Sequence, residues 1–141
     1  MEVNYRGYLI SDDKSLVQQD RAYEMLSKTY WGKYRLQEMM QTLIDNSLCF
    51  GIYKNGTMVG FARCVTDYAA LYYLCDVVVD KEHRGNGLGK ALVKAITEHE
   101  KLAKLLGLLD TDDAHGLYAQ FGFKGRVETA MLRPRETSLR K

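Results

Sequence analysis

Apolar and polar positions change period along this chain, and the changes divide it into elements. Leu88, Ala91, Leu92, Ala95 and Ile96 are apolar, with Lys90, Lys94, Thr97 and Glu98 between them, the 3.6-residue period of a helix with one buried face. That helix is expected to begin at about Gly87 and to end near His99 to Leu102. Upstream the runs are of strand length. Leu48–Tyr53 and Thr57–Thr66 flank Lys54-Asn55-Gly56, and Asn-Gly between apolar runs predicts a hairpin. A second turn around Asp67 to Ala70 leads into Leu71–Val79, completing an antiparallel meander. Tyr8–Ile10 reads as a first strand. Ser11, Asp12, Asp13 and Ser15 offer N-caps to a helix carrying Leu16, Gln19, Tyr23, Leu26 and Tyr30 roughly along one face. Trp31-Gly32 breaks that pattern, and Leu36, Met39, Met40, Leu43 and Ile44 restart it as far as Asn46. After the Leu88 helix come a buried strand at Leu105–Leu109, a short helix around Asp113 to Phe121 and a final strand pair within Phe123 to Leu132. The polar tail after Pro134 is expected to be mobile.

The most informative stretch is Asp76 to Lys90, where a valine strand runs into glycines and the glycines into a helix. At a helix start several backbone N–H groups lack intrahelical partners and point together, at the positive end of the helix dipole. Gly85, Gly87 and Gly89 lack the Cβ that would hold a bulky anion away, and Arg84 and Lys90 add charge at the two shoulders. Spacing excludes two other phosphate loops. A P-loop needs Gly at Arg84 and Ser or Thr at Ala91, and a dinucleotide fingerprint from Gly85 needs Gly or Ala at Lys90.

Arg84-Gly85-Asn86-Gly87-Leu88-Gly89 after a valine strand resembles the acyl-coenzyme A loop of the GNAT superfamily of N-acetyltransferases. A second block strengthens the resemblance: Ala114, then Leu117-Tyr118, then Gly122-Phe123, at the family's spacing. The family's asparagine seven positions before the tyrosine is Thr111 here, so one polar contact to the cofactor is altered. The resemblance implies an α+β (mixed α/β) fold, with a central, mostly antiparallel twisted sheet of six or seven strands flanked by about four helices. It implies acetyl-coenzyme A as co-substrate, and direct transfer of the acetyl group to a primary amine of a small molecule or peptide. Arg84, Gly85, Asn86, Gly87, Leu88, Gly89 and Lys90 would then meet the cofactor, with Thr111 and Ala114 beside it. Backbone N–H groups of Val77, Val78 and Val79, on a strand that splays from its neighbour, would bind the donor's carbonyl and pantetheine. Tyr118 matches the family's usual general acid. The alternative is a catalytically silent acyl-coenzyme A sensor or regulatory module on the same fold.

The chemistry makes demands that the residues meet unequally. Acyl transfer from a thioester needs a neutral amine, stabilisation of the tetrahedral oxyanion and a proton for the leaving thiolate. A phenol with pKa about 10 and a thiol near 8.5 are close enough to share that proton. An amine of pKa near 10.4 arrives protonated, so a carboxylate or water must accept a proton. Asp76 is one candidate, although a turn centred near Ala69 and Ala70 would set it across from Arg63 as a cross-strand ion pair. Asp67, Asp110, Asp112 and Asp113 lie near the expected cleft and serve equally as turn, strand-end or N-cap residues. His83, His99 and His115 are expected in solvated loop or helix positions, without metal-ligand spacing. The resemblance places the variable acceptor site between the first two helices, where Tyr30, Trp31 and Tyr34 would form a wall unless they pack a core. With Asp67, Tyr68, Tyr72 and Tyr73 around the second turn, that wall suits a compact cationic amine.

Composition narrows the rest. A chain of 141 residues, 46% hydrophobic, suits one domain with a real core. Of the formal charge of +2, the tail Arg133–Lys141 holds +3, so the body is about −1, which argues against a nucleic-acid partner. Cys49, Cys64 and Cys75 have no C-x-x-C spacing and read as reduced thiols, with no metal implied. Neither a signal-peptide core nor a membrane-length apolar run is present, so the expectation is a soluble cytoplasmic protein without a membrane partner, a monomer or homodimer.

Overall fold

A computed structural model describes residues 1–32, 34–125 and 128–135 of the chain. Six strands lie in chain order in one sheet: β1 (Glu2–Tyr5), β2 (Tyr8–Ser11), β3 (Leu48–Lys54), β4 (Thr57–Thr66), β5 (Leu71–Val79) and β6 (Leu106–Leu108). All neighbours are antiparallel except β5 and β6, which are parallel. The helices are α1 (Gln19–Ser27), α2 (Met40–Asp45), α3 (Leu88–Thr97) and α4 (His115–Ala119). A parallel neighbour needs a crossover, and α3 supplies it between β5 and β6.

The sheet separates two apolar clusters. On one side Leu88, Leu92 and Ile96 of α3 pack with Ile10, Phe50, Ile52, Cys64, Tyr72 and Leu74. On the other, Ala22, Met25 and Leu26 of α1 and Met40 and Ile44 of α2 cover Cys49, Met58, Phe61 and Val78. Each fully buried aliphatic side chain contributes about 1.5–3 kcal/mol, so α3 is fixed by its inner face far more than by helix propensity.

Where the alternation is long, the elements fall where it places them. Asn55 (φ +50°) and Gly56 (φ +80°) make the tight turn between β3 and β4, both in the left-handed region such hairpins require. The ends of the chain differ more. β1 was not foreseen; Arg6 (φ +49°) and Gly7 (φ +82°) turn it back onto β2. Asp13 caps only a 3₁₀ turn at Lys14–Leu16, and α1 begins later, at Gln19, and stops at Ser27 rather than Tyr30. Lys28 to Gly32 is instead irregular, with Thr29 Oγ1 donating to the Leu26 carbonyl and accepting from Gly32 N–H. No described residue of Phe123–Leu132 is in a strand, so the expected final pair is not found there; Arg126 and Val127 lie outside the described residues. Most of the tail, Glu136–Lys141, also lies outside them.

Candidate active site

β5 and β6 pair only at Leu71–Leu106, Tyr72–Gly107 and Tyr73–Leu108. Beyond Tyr73 they part, and a cleft of about 960 Å³ lies between β5 and the segment that follows β6. Tyr73 to Val79 spans about 20 Å of strand. Leu74 to Val79 form one wall, and Leu109 to Ala114 with Leu117 and Tyr118 the other. The Val79 end opens onto Arg84, Gly85, Gly87, Leu88 and Gly89. A backbone whose neighbour has left keeps N–H and C=O groups available to a ligand.

The loop at that end presents backbone N–H groups to open space. Gly87 (φ +77°) caps α3 with no side-chain hydrogen bond, so the first-turn N–H groups have no capping acceptor from it. A Cβ at Gly85 or Gly89 would meet no atom within 4 Å, which leaves open space over the loop. A Cβ at Gly87 would stand 2.5 Å from the Tyr5 hydroxyl, and that hydroxyl donates to the Asn86 carbonyl at 3.0 Å. The first strand thus buttresses the loop. Upstream, Asp80 caps the turn at Lys81–His83 and accepts from Arg21 of α1 at 2.7 Å.

A β-bulge shapes the middle of β5. Arg63 pairs with Cys75 and Phe61 with Val78, so Asp76 and Val77 together oppose Ala62, and Asp76 sits at φ +57°. The extra residue inverts the alternation of faces: Tyr72 and Leu74 pack with the α3 cluster, but past the bulge Val77 and Val79 do so while Val78 turns to α1 and α2. Asp76 is 4% exposed and accepts from Arg63 Nε at 2.6 Å and from both terminal nitrogens of Arg35 at 2.8 and 2.9 Å. The ion pair with Arg63 forms, but one residue out of the expected register, because the turn is centred on Ala69. Burial opposes ionisation of Asp76, yet the Arg35 and Arg63 guanidiniums outweigh it and hold the carboxyl below its usual range. A carboxylate so held is a poor proton acceptor, and the geometry counts against Asp76 as base. Arg35, which sequence patterning did not single out, is the missed member; a lone arginine in a linker carries no periodic signal.

The structure gathers Val77, Val78, Val79, Arg84, Gly85, Gly87, Leu88, Gly89, Thr111, Ala114, Tyr118, Tyr30, Trp31 and Asp76 around this one cleft. Thr111 Oγ1 accepts from Ala114 N–H at 3.0 Å, setting the start of α4. Other expectations are corrected. Asn86 is a half-buried brace, its amide donating to the His83 carbonyl, and Lys90 faces a smaller hollow beside Val3 and Tyr5. Asp67 is fully engaged in its turn, accepting from Ala69, Ala70 and Leu71 N–H, so it is a turn former. Tyr34 and Tyr68 are exposed outside the cleft lining, and Tyr72 is buried in the core. Of the aromatic wall, Tyr30, Trp31 and Tyr73 remain, the first two stacked edge to face with centroids 5.2 Å apart. Tyr73 donates to the Asp110 carboxylate. His99 is buried rather than solvated: its Nδ1 accepts from Lys101 N–H, which leaves Nε2 to donate to Asp12 at 2.8 Å.

Tyr118 packs edge-on against Phe123 at 6.0 Å, and burial, then the Asp113 charge, raises its phenol above the ordinary value. Among the described residues no cluster of three or more His, Cys, Asp or Glu could hold a metal, and no helix is long and apolar enough to cross a membrane.

The chain also matches known proteins. Residues 16–123 match the model of the Acetyltransferase (GNAT) family. The chain belongs to that family. A Xanthomonas campestris pv. campestris protein of the GNAT family is 40% identical, covering 94% of this chain and 96% of its own, with a TM-score of 0.87. A candidate acetyltransferase of Gibberella zeae is 29% identical over 83% of this chain and 79% of its own length. The Arabidopsis thaliana glucosamine-6-phosphate N-acetyltransferase, 19% identical with a TM-score of 0.64, covers 89% of this chain and 97% of its own and shares the fold. The GNAT chain described here is thus an acetyltransferase on a mixed α/β scaffold.

Proposed function

We propose that this GNAT protein transfers the acetyl group of acetyl-coenzyme A directly to a primary amine of a small molecule or peptide, in the cytoplasm and without a metal. The observation that carries the reading is the parting of β5 from β6 beyond Tyr73, with the uncapped start of α3 at one end and Tyr118 on the facing wall. When bound, acetyl-coenzyme A supplies an activated acyl group as a thioester. First-turn N–H groups at Gly87–Gly89 hold its pyrophosphate, with Arg84 adding charge. Backbone groups of Val77, Val78 and Val79 hold the pantetheine and polarise the carbonyl, and Thr111 and Ala114 border the same chain.

The amine loses its proton to water or a cleft carboxylate, and its lone pair forms the C–N bond as the C–S bond breaks. Tyr118 donates its hydroxyl proton to the departing sulfur, and the second proton that the nitrogen sheds as it becomes an amide restores the phenol through solvent; its raised pKa keeps it protonated at neutral pH. Asp76 acts as a positioning residue, its arginine pairs fixing the bulge that aims Val77 to Val79. The test is release of free thiol from acetyl-coenzyme A against a panel of amines. Turnover with at least one amine, lost in Tyr118→Phe with donor affinity retained, is expected; donor binding without thiol release from any amine would favour a silent sensor.

A further inference from the structure

Two arginines share one carboxylate in the wall of the cleft. Arg35 and Arg63 both border it, their side chains 15% and 12% exposed, and both are paired to Asp76, whose side chain is 2% exposed. Arg63 also donates to Ser47 Oγ at 3.1 Å, a neutral partner. Asp76 is the only carboxylate acting on Arg35 among the described residues. The wall therefore holds one positive charge more than it neutralises, largely out of water, where an uncompensated ion is costly. An arginine pair presents several N–H donors, and an anion arriving in the cleft would satisfy both the charge and the donors.

The opposite sign lies a short step away on the same sheet face. Tyr73 is paired with Val65, and Arg63 is two residues further along that strand, which makes Tyr73 and Arg63 diagonal neighbours about 7–8 Å apart at the backbone. Tyr73 carries the Asp110 carboxylate on its hydroxyl, and both border the cleft. One side of the acceptor half of the cleft is thus cationic and the other anionic, with Tyr30 and Trp31, 49% and 44% exposed, as an apolar flank.

We propose that the acceptor amine carries its own carboxylate, a free amino acid whose carboxylate is taken by Arg35 and Arg63 while its amine turns to Asp110. This rests on the acetyl-transfer reading and departs from the simple cationic amine expected from the aromatic pattern, because Asp67 is spent on its turn. Asp110 is then the group placed to accept the ammonium proton before the nitrogen attacks.

Matched probes test it with the wild-type protein. Phenylalanine is compared with phenethylamine, and γ-aminobutyrate with butylamine, both as acceptors in thiol release and by calorimetric titration of the coenzyme A-loaded protein. At least one amino acid is expected to be preferred over its partner by about tenfold or more, the range of a charged hydrogen bond. Arg63→Met and Arg35→Gln should each weaken the amino acid about tenfold more than its plain amine, so that the ratio collapses; a merely structural role would weaken both members of a pair alike and leave the ratio standing. Equal or stronger binding of the plain amines overturns the proposal. A carboxylate preference in binding with no thiol release would sink acetyl transfer and keep the anion site.

Discussion

Tyr118→Phe removes one hydroxyl and keeps the edge contact with Phe123, so kcat should fall by about 10²–10⁴ while donor affinity is unchanged, as single-turnover kinetics and titration would read. Because burial and Asp113 raise this phenol, kcat/KM should climb with pH as the amine deprotonates and show no descending limb below about pH 10. A descending limb near pH 8 would assign the acid to another group. Asp76 gives a stability test of opposite pH sense. Its folded pKa lies below the unfolded value of about 3.9, so its stabilisation is complete at neutral pH and is lost as pH falls through the folded value. Asp76→Asn should cost about 3–5 kcal/mol in urea unfolding at pH 7, with the gap to wild type shrinking toward pH 3. Burial raises the Cys75 and Cys49 thiols to about 11 and Cys64 to about 12. A thiol reagent at pH 8 should therefore label the native protein very slowly, while free coenzyme A reacts at once.

Among the elements, the α3 loop offers a substitution that separates binding from folding. Gly87→Val confounds the two, since it strains a positive φ and strikes Tyr5. Gly89→Ala does not: its Cβ meets nothing, and alanine stabilises a helix over glycine by up to about 1 kcal/mol. Acetyl-coenzyme A affinity should drop several-fold in Gly89→Ala while the unfolding midpoint holds or rises; unchanged affinity would remove the pyrophosphate from this loop. The same elements show how far pattern reaches. Leu88 to Ile96 and the Asn55-Gly56 hairpin were legible because their periodicity coincides with burial on one face. α1 was misjudged at both ends because Leu16 and Tyr30, apolar by type, are exposed. β1 escaped because its outer residues are solvated, leaving no alternation to read. Arg35 and the bulge at Asp76 depend on tertiary partners, and no spacing announces them.

For the molecule as a whole, a ligand that binds only the folded state stabilises it by mass action. Acetyl-coenzyme A at a hundred times its Kd should contribute about 2.7 kcal/mol and raise Tm by something like 10 °C for a chain of this length. No shift at saturating donor would contradict the cleft assignment. The coupling need not stay local. The Tyr5 hydroxyl of β1 rests on the Asn86 carbonyl, so the outermost strand of the sheet is fastened to the glycine loop before α3, some eighty residues later in sequence. An edge strand with little buried surface ordinarily opens often and exchanges its amide protons quickly. Donor binding should slow exchange at Val3, which pairs in register with Ile10 of β2, and Tyr5→Phe should abolish that slowing while leaving it intact in β5.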